Sequence, residues 1–281
     1  MSDLKPPSQG NPAAPNHAVR DAIVRHGLGA RKSLGQHFLL DLNLTAKIAA
    51  MAGDLSGRQV VEVGPGPGGL TRALLDTRAA RIIAVEIDRR AIAAIEELQA
   101  RHPGRLEIIE ADAMKRDLST LCDAPRQIIA NLPYNVGTPL LVGWLRQAAQ
   151  WERMTLMFQM EVAERICAAP DTSAYGRLSV LAQWCCTATI QMRIPPAAFS
   201  PPPKVFSAVI GLMPHPEQPP AELFSVMERL TAAAFGQRRK MLRGALRPLG
   251  GDALLSRADL DSSRRAETLT VAEYDRLARL L

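Results

Sequence analysis

Between residues 57 and 160, short runs of apolar and often β-branched residues alternate with segments whose apolar positions have helical spacing. This alternation is typical of repeated β-α units that build a parallel sheet. The apolar runs predict strands at 58–63, 81–86, 105–110, 127–130 and 154–158, and helices are predicted to start near Gly69, Arg89 and Pro139. We therefore expect an α/β fold with a Rossmann-like, doubly wound sheet, whose ligands gather at the carboxyl ends of the strands.

After residue 160 the pattern is less regular. It predicts helices from Glu161 and from Gly176, strands at 187–194 and 205–212, and a proline-rich loop at 195–204 between these strands. Every periodic segment beyond Ala221 is helical, with breaks at 248–251 and 261–263, which predicts a small C-terminal all-α domain. We expect a flexible tail at 1–16, a catalytic α/β domain at 17–215 and a helical domain at 216–281.

The composition is that of an ordinary globular protein, with 47% hydrophobic and 22% charged residues in a chain of 281. The first 16 residues include four prolines and lack the apolar segment of a signal peptide. Cys122, Cys167, Cys185 and Cys186 show no Cys-x-x-Cys spacing, so we expect reduced core thiols. These features predict a cytoplasmic protein with no membrane span and no metal site. A monomer is expected to be sufficient for function.

The net charge of +6 permits a polyanionic partner without requiring one. The segment 236–247 contains basic residues and no acidic one, and a smaller basic cluster lies near the N-terminus. The first set is Arg238, Arg239, Lys240, Arg243 and Arg247, and the second is Arg20, Arg25, Arg31 and Lys32. Taken alone, each set is compatible with a solvated surface.

The basic segment 236–247 is interpreted as one helix that ends at Pro248. Arg239, Arg243 and Arg247 would then share one face, at positions i, i+4 and i+8, with Lys240 beside them. Leucines at 242, 246 and 249 would form a neighbouring apolar arc. A basic stripe without acidic partners at i±4 is better suited to phosphates than to internal ion pairs, so this helix predicts contacts to a nucleic-acid backbone.

A glycine-rich segment, EVGPGPGG at 62–69, follows a predicted strand and opens a predicted helix. Glycines at this place let the backbone approach a ligand closely. Gly64, Gly66 and Gly69 also satisfy the G-x-G-x-x-G pattern, which fits a dinucleotide-binding turn as well as an S-adenosylmethionine-binding turn. The segment therefore predicts a nucleotide site without identifying the cofactor.

Two carboxylates follow the next strands. Glu86 ends the second strand, where both cofactor classes need an acceptor for ribose hydroxyls. Asp112 follows the third strand and can accept a hydrogen bond from the amino group of an adenine ring, although an ordinary helix N-cap is the alternative. Both residues are candidates for cofactor binding.

The segment Asn131-Leu-Pro-Tyr134 follows the fourth strand and indicates the chemistry. The exocyclic nitrogen of adenine is a poor nucleophile, because its lone pair is delocalised into the ring, so a site must hold its N–H groups with acceptors. Asn131 offers a side-chain oxygen, and Pro133 restricts Leu132 to an extended geometry that can turn its carbonyl inward. Tyr134 offers a ring on which a base can stack. The alternative is a strand-end turn with a buried tyrosine.

With these motifs the chain resembles the bacterial small-subunit (16S) ribosomal RNA adenine N(6)-dimethyltransferases, the kasugamycin-sensitivity family. The resemblance covers nearly the whole chain, and the blocks occur in the family's order. They are KSLGQHFL at 32–39, EVGPGPGGLT at 62–71, NLPY at 131–134, QMEVAER at 159–165, YGRLS at 175–179, FSPPPKV at 199–205 and FGQRRK at 235–240.

The resemblance implies that two methyl groups pass from S-adenosylmethionine to each of two adjacent adenosines in a hairpin near the 3′ end of 16S rRNA, with a role in small-subunit assembly. It implies cofactor contacts at His37, Leu39, Gly64, Glu86, Asp112 and Asn131, and base contacts at Asn131, Leu132, Tyr134 and Phe199. The family often has Asn at position 37, so a contact through the His37 ring and one through its backbone both stay open. Phe199 is predicted to stack on the target base, with a core phenylalanine as the alternative.

Three alternatives can be compared with this interpretation. Antibiotic-resistance enzymes that methylate one adenine of large-subunit RNA share the motifs, but Pro139 in NVGTPLL at 135–141 looks more like the small-subunit enzymes. An NAD-dependent dehydrogenase would explain the glycine turn and Glu86 but not residues 131–134 or the basic tail. A non-catalytic assembly factor of the same fold would not need Glu86, Asp112 and the 131–134 motif together.

Overall fold

The computed structural model describes residues 17–29, 36–237 and 239–281. The predicted tail at 1–16 and the basic residues Arg31, Lys32 and Arg238 lie outside the described residues. The described strands are β1 (Phe38–Leu39), β2 (Gln59–Val63), β3 (Arg81–Glu86), β4 (Leu106–Glu110), β5 (Arg126–Asn131), β6 (Arg153–Gln159), β7 (Cys186–Ile194), β8 (Phe199–Ser200) and β9 (Ser207–Pro214). The described helices are α1 (His17–Arg25), α2 (Leu42–Met51), α3 (Gly69–Leu75), α4 (Arg89–Arg101), α5 (Gly137–Leu145), α6 (Met160–Cys167), α7 (Arg177–Cys185), α8 (Leu223–Phe235), α9 (Leu242–Ala245), α10 (Gly251–Arg257) and α11 (Val271–Ala278).

The main sheet has the strand order β4-β3-β2-β5-β6-β9-β7. Strands β2 to β6 run parallel, and β9 pairs antiparallel with both β6 and β7. The chain builds outward from β2 in one direction and then from β5 in the other, so the switch point lies between β2 and β5. The predicted doubly wound α/β fold is confirmed.

The sheet has a hydrophobic core on each face. Within β3, the adjacent residues Ile82 and Ile83 belong to different core clusters, because successive side chains of a strand point to opposite faces. One cluster includes residues of α2, α3 and α4, and the other includes residues of α5, α7, α8 and α11. Cys122, Cys185 and Cys186 are buried, and all four cysteines are free thiols, as predicted. Burial raises the pKa of Cys185 to about 12, which keeps this thiol protonated.

The segment predicted as a proline-rich loop contains a short strand. In β8, Phe199 pairs with Leu39 of β1, and Ser200 pairs with Phe38. The following strand, predicted at 205–212, begins at Ser207 because its pairing with β6 starts there, opposite Gln159. Val205 and Phe206 are left exposed between the loop and the strand.

The chain beyond residue 221 is helical, as predicted, but the helix predicted at 236–247 is wrong. Helix α8 ends at Phe235, and α9 extends only from Leu242 to Ala245. Met241 instead forms an extended bridge with Arg265, and the Leu242 N–H donates to the Arg264 carbonyl at 2.7 Å. These contacts within the helical region compete with helix formation, and Pro248 lies inside a short 3₁₀ turn, Arg247–Leu249, instead of ending a long helix. Arg239, Arg243 and Arg247 therefore do not form a stripe on one helix.

The helical region shares its core with the rest of the molecule. Trp184 of α7 donates from Nε1 to Asp275 of α11 at 2.9 Å. Glu228 of α8 forms ion pairs with Arg146, directly after α5, and with Arg177 of α7. A domain boundary at residue 216 stays a prediction, since one hydrophobic cluster continues across it.

Among the described residues, no helix has both the length and the apolar character needed to cross a bilayer.

Candidate active site

A cleft of about 310 Å³ lies at the carboxyl ends of β2, β3 and β5. Most of the residues that the sequence predicts for the site line this cleft. They are His37, Leu39, Gly64, Gly66, Glu86, Asp112, Asn131, Leu132, Pro133 and Tyr134. Phe199 and the basic residues of the helical region are not among its described lining residues. The fold thus brings together residues that are almost a hundred positions apart in the chain, because parallel strands end at the same edge of the sheet.

The turn after β2 exposes main-chain atoms to the cleft. Gly66 has a φ angle of +54°, a conformation that side-chain-bearing residues rarely adopt. At Gly69, an added Cβ atom would lie 2.7 Å from the carbonyl oxygen of Leu39, so any side chain there would collide with backbone. At Gly64, Gly66 and Gly69 the cleft is therefore lined by backbone alone, as a nucleotide-binding turn requires.

The Glu86 carboxylate is buried at the end of β3 and is held by three backbone N–H groups. Oε1 accepts from Ile87 at 2.8 Å and from Asp88 at 2.9 Å, and Oε2 accepts from Gly66 at 3.3 Å. Burial raises the pKa of Glu86, and these hydrogen bonds offset part of the rise. Because each carboxylate oxygen offers roughly two lone-pair positions, Oε2 keeps one position with which to accept from a ligand hydroxyl.

A second carboxylate of the cleft, Glu62, was missed by the site prediction. It lies in β2, is 1% exposed, and its Oε2 has no hydrogen-bond partner among the described residues. The pKa of Glu62 is raised to about 8, mainly by burial; the Thr71 hydroxyl opposes this rise and the nearby Glu86 adds to it. A carboxylate inside the otherwise apolar end of a buried strand was the sequence signal for this residue.

Two apolar side chains on the cleft were also missed. Ile87 and Met114 line it, although 60% of Ile87 and 47% of Met114 are exposed. Each lies one or two positions after a predicted cofactor carboxylate, Glu86 or Asp112. Large exposed apolar residues at a ligand cleft suit a flat, partly apolar ligand such as a nucleobase.

Asp112 lies on the rim of the cleft and shapes the local turn. Its Oδ1 accepts from the Met114 N–H at 2.9 Å, and its Oδ2 lies 3.7 Å from Lys115 Nζ. The turn that it caps does not continue into a helix, so Asp112 is not an ordinary helix N-cap. Its contact with an adenine amino group stays a prediction.

Asn131 ends β5 beside the cleft, and its amide group is oriented by the backbone. Nδ2 donates to the carbonyl oxygen of His37 at 3.2 Å. Since this bond uses the NH₂ end of the amide, Oδ1 is the end that can accept from a ligand. The Pro133 carbonyl accepts from Val136 and Gly137 at the start of α5, which fixes the backbone directly after Leu132.

Tyr134 is half-buried and fixed at its hydroxyl. Oη shares a 2.6 Å hydrogen bond with Ser207 Oγ, and burial raises the pKa of Tyr134, so the phenol stays neutral. Its ring centroid lies 5.2 Å from that of His37, with 33° between the planes. The His37 ring is fixed too, since Nδ1 donates to the Pro201 carbonyl at 2.8 Å. His37 thus accepts a hydrogen bond from Asn131 with its backbone carbonyl and contacts Tyr134 with its ring.

Phe199 is buried, with 4% of its surface exposed, and belongs to a core cluster. Its ring meets His37 edge-on, at 6.4 Å between centroids and 79° between planes. In this structure His37, not Phe199, is the ring against Tyr134. The structure therefore favours the core alternative for Phe199, and its stacking on a base stays a prediction.

The basic residues of the helical region are exposed even though they do not share a helix. Arg239 and Lys240 lie in the turn after α8, Arg243 lies in α9, and Arg247 begins the 3₁₀ turn that follows. Their side chains can therefore reach a partner in solution.

Comparison with known families and curated proteins supports a single assignment. A family model described as ribosomal RNA adenine dimethylase matches residues 27–281. The chain is 63% identical over 277 residues to a ribosomal RNA small subunit methyltransferase A from Gluconobacter oxydans, covering 99% of this chain and 91% of that protein. It is 54% identical over 264 residues to the protein of that name from Paramagnetospirillum magneticum, covering 94% of each chain.

Solved structures agree in fold. A dimethyladenosine transferase from Plasmodium falciparum superposes with a TM-score of 0.74 at 26% identity, over 86% of this chain and 96% of that one. The 23S rRNA methyltransferase ErmE superposes with a TM-score of 0.65 at 25% identity, over 87% of this chain and 99% of that one. The similarity to small-subunit enzymes is thus much higher in sequence than the similarity to this large-subunit enzyme.

Proposed function

The chain belongs to the ribosomal RNA adenine dimethylase family, and on this basis we propose that it methylates the N6 atoms of two adjacent adenosines in a 3′-terminal hairpin of 16S rRNA. Each adenosine receives two methyl groups from S-adenosylmethionine, giving N(6),N(6)-dimethyladenosine, and the reaction accompanies small-subunit biogenesis. The identity of 63% to a small-subunit methyltransferase, against 25% to a 23S enzyme, supports the choice of RNA.

The residues of the cleft fit S-adenosylmethionine. The turn at Gly64 and Gly66 leaves room for a nucleoside near the backbone, and Glu86 keeps an acceptor position for a ribose hydroxyl. Asp112 can accept from the adenine amino group, and Ile87 and Met114 offer apolar surface to the ring. The buried Oε2 of Glu62 has no hydrogen-bond partner among the described residues and can therefore bond to a polar group of the ligand. Leu39 and His37 close the cleft from the side of β1. When bound, the cofactor supplies an electrophilic methyl group.

The chain's own task is to orient the target nitrogen. Asn131 Oδ1 and the Leu132 carbonyl can accept the N6–H groups, which favours a pyramidal nitrogen with its lone pair localised for attack. These acceptors act mainly in the transition state, so they raise turnover more than RNA affinity. After attack, the nitrogen loses one N–H proton. The monomethylated nitrogen still has an N–H group, so the same acceptors serve the second transfer.

Tyr134 supplies the stacking surface in this proposal. Its hydroxyl is fixed by Ser207 and its ring lies against His37, so the stacking surface is pre-oriented before RNA arrives. Holding a reactant in this way can account for roughly 7–11 kcal/mol of barrier reduction, without a covalent nucleophile.

The exposed residues Arg239, Lys240, Arg243 and Arg247 are proposed to bind RNA phosphates, which makes residues 216–281 an RNA-binding region. Such contacts contribute affinity without sequence preference. We further propose that the protein acts in the cytoplasm, as a monomer, with 16S rRNA in the small subunit or its precursor as its partner.

The observation that carries the proposed chemistry is the orientation of the Asn131 amide by the His37 carbonyl. The test is incubation of the protein with labelled S-adenosylmethionine and 30S particles from a strain that lacks these methyl groups, followed by nucleoside analysis. Label in dimethyladenosine is expected. Absence of label from dimethyladenosine would contradict the proposal, and particles that are already methylated serve as the control.

A further inference from the structure

A groove of about 1030 Å³ adjoins the catalytic cleft and has no role in the reaction described above. It shares Gln36, His37 and Tyr134 with the cleft. Its other lining residues come from the start of α6 and from the segment 201–206, together with Arg193 of β7. Because Tyr134 is the proposed surface for the target base, a nucleotide in this groove would lie directly beside that base.

The most unusual side chain of the groove is Phe206, which is 53% exposed. An exposed phenylalanine in a concave surface has hydrophobic area that only a ligand can cover. Its backbone is nevertheless fixed, since its carbonyl accepts from the Met160 N–H at 2.9 Å. The next residue, Ser207, holds the Tyr134 hydroxyl. Phe206 is therefore attached rigidly to the residue that positions the catalytic tyrosine.

The polar residues of the groove match the parts of a nucleotide. The exposed Arg193 and Lys204 offer positive charge for a phosphate. Gln159 and Glu164 offer oxygen acceptors for the amino group of an adenine. A wholly apolar partner would leave these four groups without a role, and a free phosphate would leave Phe206 without one.

We infer that this groove is the binding site for the nucleotide next to the target adenosine on the same RNA strand, with its base stacked on Phe206. The inference rests on the proposed function and adds to it. The two target adenosines are adjacent, so whichever one occupies the catalytic cleft has the other beside it. Phe206 is a positioning residue here, since it contacts the neighbour and not the reacting base.

The experiment uses 30S particles whose 16S rRNA carries a ligated synthetic 3′ segment, in which one adenosine of the pair is replaced by an abasic residue, first on one side and then on the other. Single-turnover methylation is measured at the remaining adenosine and compared with the intact pair. Phe206→Ala is expected to slow methylation of the intact pair by about 5-fold to 150-fold, the range expected for removal of one base stack. On at least one of the two abasic substrates, the variant should methylate the remaining adenosine as fast as the wild-type protein does.

Two variants serve as controls. Phe206→Tyr keeps the ring and should restore the wild-type rate on the intact pair. Met213→Ala removes another exposed apolar side chain, near the far end of β9. It should leave the methylation rate of both the intact and the abasic substrates unchanged. Equal slowing of intact and abasic substrates by Phe206→Ala would overturn the inference, because Phe206 would then act on the target base or on the fold. An unchanged rate on the intact pair would overturn it too. Absence of methylation by the wild-type protein on the intact pair would instead contradict the proposed function, and this inference with it.

Discussion

The Asn131 side chain and the His37 carbonyl, 94 residues apart in sequence, are joined by a 3.2 Å hydrogen bond at the edge of the cleft. This bond sets which end of the amide can accept from a substrate. Residue 37 therefore contributes to the site through its backbone, whatever its side chain, while the ring of His37 has a separate contact with Tyr134.

Asn131→Ala is expected to reduce turnover strongly, by roughly 10²–10³-fold, since it removes an acceptor that acts mainly in the transition state. RNA affinity should change little. Single-turnover kinetics and RNA binding, measured on the same preparation, check both statements. Asn131→Asp is the matched variant: it keeps an acceptor but cannot donate to His37, so it should also be impaired. A near-normal rate for Asn131→Ala would contradict the role.

Glu86→Ala is expected to weaken cofactor binding, because its Oε2 keeps an acceptor position at the cleft for a ribose hydroxyl. Glu86→Gln should be impaired less, since it retains one oxygen acceptor. Titration calorimetry with S-adenosylmethionine measures the affinity directly. An unchanged affinity in Glu86→Ala would remove this residue from the site.

Glu62 should make the stability of the ligand-free protein depend on pH. Its pKa is raised to about 8 in the fold, from an ordinary value of 4.5. Between these values the folded state keeps a proton that the unfolded state has released, so stability falls as pH rises through the window. The slope contributed by one such group is at most about 1.4 kcal/mol per pH unit.

Urea unfolding at several pH values between roughly 4 and 9, a range that brackets both pKa values, tests this expectation. Glu62→Gln cannot ionise, so this variant should show a flatter dependence than the wild-type protein. Superimposable stability profiles for the two proteins would show that Glu62 is not protonated in the fold.

Phe199→Ala is expected to lower stability markedly, by roughly 3–5 kcal/mol, because it empties a core position in β8. Phe199→Leu should lower stability less. The stacking prediction is tested separately, by activity per folded molecule at a temperature where each variant is folded. Normal activity per folded molecule in Phe199→Ala would exclude base stacking by this ring.

Replacing Arg239 and Arg243 by Gln should weaken RNA binding and flatten its salt dependence, by ~0.7–0.9 in the slope of log K against log salt for each phosphate that is no longer neutralised. Cofactor affinity should stay unchanged. Arg276→Gln, at an exposed arginine of α11, is the control substitution. An unaltered slope in the Arg239/Arg243 variant would show that RNA binds elsewhere.

The strands of the sheet could be predicted from sequence because burial on both faces leaves continuous apolar runs, and 81–86 coincides with β3. The convergence of Gly64, Glu86 and Asn131 follows from the rule that ligands bind at the carboxyl ends of parallel strands. Glu62 was missed because it was interpreted as part of a strand and not as part of the cleft. The position of Phe199 depends on its pairing with Leu39, a long-range pairing that no local pattern encodes.

The helix predicted for the basic segment is wrong for the same reason. Local helical spacing at 236–247 is real, but backbone hydrogen bonds from Leu242 and Arg243 to residues 264 and 262 outweigh it. The exposure of the cations could be predicted from their charge, while their arrangement could not.

The ion pairs of Glu228 with Arg146 and Arg177, together with the shared core, have a geometric consequence. They join the helical region to elements that pack on the sheet, so its exposed cations are connected to Asn131 through packed structure and not through a linker. If those cations bind phosphates, the distance between them and Asn131 selects the substrate. An RNA then presents the correct adenosines only when its hairpin spans that distance. Choice of nucleotide would then come from distance along a folded RNA, with little need to read bases outside the catalytic cleft.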